Sequence, residues 1–241
     1  MKAIYNIADR NIEISSIYPE VHTLCKDYAS DGVPDYQLST DEEDILYEEK
    51  RSAAKMGEKP CPPSRKSYLE TLAVYRKLAD FLLNDDVILF HGSVIAVDNQ
   101  AYLFTAKSGT GKSTHTRLWR EYLKERAVMV NDDKPLLKIM ENQVIAYGTP
   151  WNGKHHLGEN IAVPLKSLCI LRRGQENQIH QISRQQAYAM LVQQVHKPDN
   201  PEKLAKTLNL IDKLAETVSL YELYCNRNPD AAAVSYNAMK G

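Results

Sequence analysis

The stretch Ala106-Lys107-Ser108-Gly109-Thr110-Gly111-Lys112-Ser113 is the strongest structural signal in the chain. An apolar run, residues 102–105, leads into it, and a segment of helical periodicity follows through Leu123. A strand, a glycine-containing loop, Lys-Ser and a helix are the context that a phosphate-binding P-loop requires. Small residues let successive backbone N–H groups point inward at a phosphate, and the helix N-terminus adds partial positive charge. The stretch therefore predicts a nucleotide-binding loop.

The residue types of the loop assign roles to its side chains. Lys112 is expected to neutralise the β- and γ-phosphates, and the Ser113 hydroxyl to bind Mg²⁺. Ala106 stands where the pattern has glycine, which is compatible with the fold if φ stays negative at that residue. The alternative is a surface turn before an amphipathic helix. The predicted cofactor-binding residues are Lys107, Ser108, Gly109, Thr110, Gly111, Lys112, Ser113 and Thr114.

The composition is that of an ordinary globular protein of 241 residues, with 43% hydrophobic and 25% charged residues. The formal net charge of -1 argues against nucleic acid or an anionic membrane as the main partner. No apolar run approaches the length of a membrane span, and the N-terminus lacks the apolar segment of a signal peptide. The four cysteines, which form no CxxC pair, indicate neither a zinc site nor a disulfide scaffold: Cys25, Cys61, Cys169 and Cys225. A cytoplasmic protein is expected.

The chain is predicted to divide into a small N-terminal α+β segment, residues 1–58, and a catalytic domain, residues 59–241. The boundary is placed at the proline cluster Lys59-Pro60-Cys61-Pro62-Pro63, because prolines at this density stop regular structure. Ser67 and Glu70 have the spacing of a capping box that would begin the next helix. The acidic run at 41–44 is interpreted as a helix start or a solvated turn rather than a metal site.

The second domain is predicted to be an α/β fold with a mixed sheet, a β-hairpin before the P-loop, and C-terminal helices. The hairpin covers residues 93–105, with a turn at Asp98-Asn99-Gln100. One helix beyond the loop, an apolar strand at 127–130 ends in Asn131-Asp132-Asp133. Carboxylates in this position can hold Mg²⁺ and accept the proton of an attacking hydroxyl. Asp132 is assigned to the metal and Asp133 to the base, although the opposite assignment stays open.

The ordered set of His91-Gly92, the P-loop and Asn131-Asp132-Asp133 resembles the catalytic domain of the HPr kinase/phosphorylases, and more distantly the ATP-dependent phosphoenolpyruvate carboxykinases. The resemblance covers roughly residues 87–240. It implies a P-loop kinase core, the cofactors ATP and Mg²⁺, a base in the paired Asp, and transfer of phosphate to a serine hydroxyl. The family's glycine-rich signature after the paired Asp is not found, and residues 151–156 stand near that place.

Further residues are candidates because of their position near these motifs. The predicted catalytic set is Asp133, Asp132, His91 and Lys112, and for His91 a purely structural role is the alternative. Trp151, Lys154 and Arg172 are candidate substrate contacts. Of these, Lys154 and Arg172 are cations, which can neutralise charge on a transferring phosphoryl group. Arg173 is a further candidate cation, and a solvated strand end is the alternative for both Arg172 and Arg173.

The sequence therefore predicts a Mg-ATP-dependent kinase that acts on a serine in a protein, a modified peptide or the free amino acid. Two alternatives stay open. One is a carboxykinase-like enzyme acting on a small carboxylic acid, and the other is a non-catalytic nucleotide-binding regulatory protein. The expected partners are a nucleotide and a serine-containing acceptor, with no nucleic acid and no membrane. Members of the similar family often assemble into oligomers, so a homo-oligomer is a further expectation.

Overall fold

The computed structural model of the chain describes residues 1–56, 65–153 and 155–241, and these form two compact units, Met1–Leu82 and Leu83–Gly241. The boundary predicted at residues 58/59 lies in the segment 57–64, outside the described residues, and stays a prediction. The helix that follows this segment, Lys66–Leu82, belongs to the first unit.

The first unit contains a small sheet in the order β1-β2-β3, in which β1 and β2 are antiparallel and β2 and β3 are parallel. A short 3₁₀ turn covers Lys26–Tyr28. The other elements described in this unit are β1 (Lys2–Ile7), β2 (Arg10–Ser15), α1 (Glu20–Leu24), β3 (Tyr36–Ser39), α2 (Glu42–Met56) and α3 (Lys66–Leu82). The acidic run at 41–44 is a helix start, as expected, and its Asp44 pairs with Arg76 and Lys77 of α3.

The capping box predicted at Ser67 and Glu70 is wrong, because the structure uses Glu70 elsewhere. The Glu70 carboxylate is fully buried and accepts hydrogen bonds from the backbone N–H groups of Ile17 and Tyr18, at 2.7 and 2.8 Å. The Thr40 hydroxyl donates a third, at 2.6 Å. A buried carboxylate requires such partners, so long-range contacts replace the local cap.

The second unit is a mixed α/β structure, which confirms the predicted class. Two 3₁₀ turns cover Leu83–Asp85 and Lys124–Arg126. The remaining elements are β4 (Val87–Leu89), β5 (Ser93–Val97), β6 (Gln100–Thr105), α4 (Lys112–Leu123), β7 (Ala127–Asn131), β8 (Leu136–Ile139), β9 (Val144–Tyr147), β10 (Ala162–Arg173), β11 (Gln178–Gln181), α5 (Arg184–Gln194), α6 (Pro201–Thr217), β12 (Ser219–Cys225) and α7 (Asp230–Met239). In the described parts of the chain, no helix is long and apolar enough to cross a lipid bilayer.

The strands of the second unit form one mixed sheet in the order β4-β8-β9-β10-β6-β5-β7, and β12 pairs with both β10 and β11. The long strand β10 joins the halves of the sheet. Its beginning, Ala162–Pro164, is antiparallel to β9, and its remainder is parallel to β6 and β12. The strands β5 and β6 form an antiparallel hairpin directly before the glycine loop, as the sequence predicted.

Alternation along the strands gives the sheet two apolar faces, each covered by helices. On β6, Leu103 faces the core formed with α5 and α6, whereas its neighbours Tyr102 and Phe104 face the core formed with α4 and α7. Trp119 of α4 is fully buried in the second core, and its indole N–H donates to the Ser235 hydroxyl of α7 at 2.8 Å. The glycine loop thus connects β6, which contributes to both cores, with α4, which covers one face of the sheet.

Candidate functional site

The predicted site residues lie at one edge of the sheet because of strand direction. The strands β6, β10 and β12 are mutually parallel, so their carboxyl ends meet. The strand β7 is antiparallel to β5, which is antiparallel to β6, so the end of β7 lies at the same edge. Ligands of α/β sheets commonly bind beyond the carboxyl ends of the parallel strands. The glycine loop follows β6, and Asp132 and Asp133 follow β7.

The glycine loop between β6 and α4 requires glycine for conformational reasons. Gly109 has φ +75° and Gly111 has φ +126°, values that residues with a side chain rarely adopt. A Cβ at either position would meet nothing within 4 Å, so the space beside the loop is open. Ala106, which is fully buried, is not among the described residues with positive φ, so its methyl group is tolerated there. The loop leads into the N-terminus of α4, whose first N–H groups have no partner inside the helix.

Three predicted catalytic side chains meet beside this loop. The Nε2 atom of His91 lies 3.3 Å from Lys112 Nζ and 3.3 Å from Asp133 Oδ1. His91 and Gly92 directly precede β5. Hydrogen bonds with the two strands that pair with β5, or with the residues that follow them, fix the backbone of His91 and Gly92. The Thr105 hydroxyl donates to the His91 carbonyl at 3.0 Å, and the Gly92 N–H donates to the Asp133 carbonyl at 3.0 Å. The structure thus brings together three residues that are spread over the sequence, since His91 and Asp133 are 42 positions apart.

The environment of this cluster keeps Asp133 ionised. Burial, the largest influence, raises the pKa of its carboxyl, but the contact with the His91 ring and the nearby charges of Lys134 and Lys112 together hold the pKa below its ordinary value. Burial lowers the pKa of the Lys112 ammonium, and the opposing charge of Asp133 limits that change. A carboxylate with free lone pairs beside a partly buried cation can accept a proton from a hydroxyl.

Asn131 fixes the turn that carries both aspartates. Its Oδ1 accepts the backbone N–H groups of Asp133 and Lys134, at 2.9 and 2.6 Å, which is the pattern of an Asx turn. Its amide donates to the Thr149 hydroxyl at 3.0 Å, and that hydroxyl donates to the Lys134 carbonyl at 2.9 Å. Asn131 and Thr149 are fully buried. The backbone turn that carries Asp133 is therefore held by a buried network.

Asp132 has a different partner from that of Asp133. Its Oδ1 accepts the backbone N–H of Gly153 in the loop after β9, and its side chain is largely buried. Its own carbonyl accepts the Ser93 hydroxyl at 2.9 Å. Among the described residues, no group of three or more His, Cys, Asp or Glu side chains is arranged to hold a metal ion. Ser113, the other predicted metal contact, is exposed in the first turn of α4.

A cleft of about 410 Å³ adjoins the glycine loop. The loop itself, the end of β10 and the end of β12 supply its walls, and its lining includes Gly109, Thr114, His115, Arg173, Cys225 and Arg227. Arg173 donates to the Gly109 carbonyl at 2.7 Å, so β10 supports the loop directly. His115 is 2% exposed, and its Nδ1 atom is buried with no hydrogen-bond partner, while its Nε2 contacts the Ser235 hydroxyl at 3.1 Å.

The remaining candidate residues have different environments in the structure. Arg172, predicted to contact substrate, pairs with Glu222 of β12 at 2.8 Å. Trp151 is buried at 4% exposure in the loop after β9. Lys107 and Ser108 are exposed in the glycine loop, and Thr114 lines the cleft. Lys154 lies outside the described residues.

Several residues of the site were not assigned a role from the sequence. Gln194, at the end of α5, contacts His91 Nδ1 at 2.8 Å although 103 positions separate the two residues. His115 was one polar residue in a helical pattern, and nothing nearby predicted its buried, unpartnered nitrogen. Asn131 did carry a usable signal, because asparagine directly before a turn commonly accepts backbone N–H groups.

Comparison with known proteins gives limited information. No protein-family model matches the chain, and no curated protein is significantly similar to it. Among solved structures, the Hpr(Ser) kinase/phosphatase from Coxiella burnetii is similar with 12% sequence identity and a TM-score of 0.38. The similarity covers 64% of this chain and 99% of that chain. Because so low a TM-score identifies neither a shared fold nor a shared activity, function has to be inferred from the residues of this chain.

Proposed function

We propose that this protein is a Mg-ATP-dependent phosphotransferase that transfers the γ-phosphoryl group to a hydroxyl. Serine, in a protein, a modified peptide or as the free amino acid, is the proposed acceptor. The choice of serine rests on the sequence resemblance to HPr kinase/phosphorylases, whereas the choice of phosphoryl transfer rests on the site itself.

The observation that carries the proposal is the contact of His91 with both Lys112 and Asp133, each at 3.3 Å, at the start of the helix after the glycine loop. Lys112 stands where a P-loop lysine binds phosphate, and Asp133 is an ionised carboxylate within reach of the same space. A nucleotide-binding loop needs the lysine but not the carboxylate. An ionised base beside the phosphate site is what transfer to a hydroxyl requires.

The residues also fit a magnesium-bound nucleoside triphosphate. The glycine loop is open, the first N–H groups of α4 are available to phosphate oxygens, and Ser113 offers an exposed hydroxyl. Mg²⁺ typically keeps few protein ligands and takes the others from phosphates and water, so it does not require a preformed group of carboxylates. Bound Mg²⁺ would neutralise charge on the phosphate oxygens. Ser113 and Asp132 are the residues proposed to hold it.

In the proposed reaction, the protein aligns the acceptor hydroxyl with the γ-phosphorus and removes one proton. Asp133 accepts the hydroxyl proton as the acceptor oxygen forms its bond to phosphorus. The bond between the γ-phosphorus and the β–γ bridging oxygen breaks, and ADP leaves. Lys112 neutralises negative charge on the phosphates during transfer. Asp132, whose proposed role is at the metal, holds the loop at Gly153 in this structure.

The cleft beside the glycine loop is proposed to receive the nucleoside of the donor. It adjoins the loop, lies at the carboxyl ends of three parallel strands, and is lined in part by His115, whose Nδ1 atom is buried without a hydrogen-bond partner. Buried polar atoms normally have a partner, and a bound molecule or water that reached Nδ1 would supply one.

The test is ³¹P NMR of the protein with Mg-ATP and a panel of free serine, threonine, small hydroxy acids and serine-containing peptides. A new phosphomonoester signal, lost in Lys112→Ala and Asp133→Asn, is the expected result. Phosphorylation or turnover of a small carboxylic acid alone would identify the carboxykinase-like alternative. Bound but intact ATP with every acceptor, including proteins of a cell extract, would leave the regulatory alternative and refute the proposal.

A further inference from the structure

Gln194, the last residue of α5, is joined to His91 by two hydrogen bonds. Its Oε1 lies 2.8 Å from His91 Nδ1, and its carbonyl accepts the His91 backbone N–H at 2.7 Å. The flanking residues continue this pairing, since Val195 forms a β-bridge with Phe90 and the His196 N–H donates to the Leu89 carbonyl at 2.9 Å. Gln194 is 9% exposed. The end of α5 therefore holds the backbone and the ring of His91 together.

The second partner of the Gln194 amide fixes its orientation. Its Nε2 group donates to the thioether sulfur of Met190 at 3.5 Å. A thioether is a weak acceptor and has no proton to donate, so the amide N–H₂ belongs on the Met190 side. The amide oxygen then faces His91, and an oxygen without a proton can only accept.

This orientation decides which nitrogen of neutral His91 carries the proton. With Nδ1–H donating to Gln194 at 2.8 Å, Nε2 has a bare lone pair, which can accept from the Lys112 ammonium at 3.3 Å. The opposite tautomer would donate from Nε2 to Asp133 at 3.3 Å, a longer contact, and would point an N–H at Lys112. Two partners thus favour Nδ1–H and one favours Nε2–H.

We propose that Gln194 is a positioning residue that holds neutral His91 in the Nδ1–H tautomer and so presents a bare Nε2 to Lys112 and Asp133. In that tautomer, no proton of the ring engages the Asp133 carboxylate. The lone pairs of Asp133 stay free for the acceptor hydroxyl. The catalytic consequence rests on the proposed function, but the tautomer does not.

The tautomer is measured directly by long-range ¹H–¹⁵N NMR of protein labelled at histidine nitrogens, at about pH 9, where an ordinary imidazole is neutral. The chain has seven histidines, and the His91→Asn variant identifies the His91 signals by their loss. The unmodified protein is expected to show a protonated Nδ1 and a bare Nε2. An Nε2–H ring in the unmodified protein would overturn the proposal.

Two substitutions at Gln194 distinguish the effect of its hydrogen-bond acceptor from the effect of its side-chain size. Gln194→Met keeps the length of the side chain but removes the oxygen, so the His91 ring is expected to move toward the Nε2–H tautomer. Gln194→Glu keeps an oxygen acceptor and is expected to retain Nδ1–H. Gln193→Met and Gln193→Glu, at the adjacent exposed residue, are matched controls. Unchanged tautomer in Gln194→Met, or loss of Nδ1–H in Gln194→Glu, would refute the inference.

Once an acceptor is known, the same variants test the consequence for transfer. Gln194→Met is expected to lower kcat roughly five- to tenfold, the range of one lost hydrogen bond, with little change in the KM for ATP. Gln194→Glu is expected to restore most of kcat. If the tautomer changes as expected but the protein transfers no phosphate at all, the proposed function fails and the positioning role of Gln194 stands.

Discussion

Asp132 and Asp133 are neighbours in one turn, but their carboxylates contact different partners. Asp132 Oδ1 accepts the Gly153 N–H, whereas Asp133 Oδ1 lies 3.3 Å from Nε2 of His91. The two side chains of the Asp-Asp pair are therefore not interchangeable. Of the two aspartates, Asp133 contacts His91 in the cluster with Lys112, and Asp132 accepts a hydrogen bond from the loop after β9.

Asp133→Asn tests the proposed base, since asparagine keeps the size of the side chain but cannot take the proton. We expect phosphate transfer to fall roughly 100-fold or more while ATP affinity is retained. Transfer is followed by ³¹P NMR and affinity by titration calorimetry. Asp132→Asn is the matched control, for which the proposed metal role predicts a higher Mg²⁺ concentration at half-maximal rate. Normal transfer in Asp133→Asn would show that the base lies elsewhere.

Lys112→Met should abolish ATP binding and yet stabilise the protein without ligand. Burial lowers the pKa of Lys112 from 10.5, so the folded state holds the ammonium proton less firmly than the unfolded chain does. The charged lysine therefore costs stability at neutral pH, and the cost disappears as pH rises through this range. We expect the free energy of unfolding at pH 7 to rise on the order of 1 kcal/mol. Lys107→Met, in the same loop but exposed, should leave it unchanged.

His115 should make stability depend on acidity. Burial lowers the pKa of His115 from 6.5 to about 4, so below pH 6.5 the unfolded chain binds a proton that the folded chain does not. Stability is then lost as pH falls from 6.5 to about 4, by up to about 3 kcal/mol. Urea denaturation across this range should show a weaker pH dependence in His115→Gln. His155→Gln, at an exposed histidine, should keep the dependence, and an unchanged profile in His115→Gln would contradict the assignment.

Arg173 and Arg172 form a matched pair for testing support of the glycine loop. Arg173 donates to the Gly109 carbonyl, whereas Arg172 pairs with Glu222 of β12. The bond is exposed to solvent and water can replace part of it, so a net loss of about 0.5–1.5 kcal/mol is expected, and Arg173→Met should weaken ATP binding roughly two- to tenfold. Arg172→Met should act mainly on stability. Equal ATP affinity in the two variants, measured by calorimetry, would exclude a role of Arg173 in the loop.

The order of strand, loop and helix around residues 105–112 and the neighbouring hairpin were predicted correctly, because their signals are local. Positive φ at Gly109 and Gly111 needs glycine, and the alternation of apolar residues in β5 and β6 sets their faces. The capping box failed for the opposite reason. The spacing of Ser67 and Glu70 is a local signal, but the partners of the Glu70 carboxylate are distant in the sequence. Ile17, Tyr18 and Thr40 donate hydrogen bonds to it.

By itself, the sequence determined the mixed α/β class, the hairpin before the loop, and the residues Lys112, His91 and Asp133 as candidates. These follow from residue type and spacing, which act over a few positions. Tertiary structure decided that β7 ends beside the glycine loop, that Asp132 and Asp133 diverge, and that Gln194 reaches His91 across 103 positions. Strand pairing and helix packing, which bring distant residues together through burial and hydrogen bonds, are not encoded in any one short pattern.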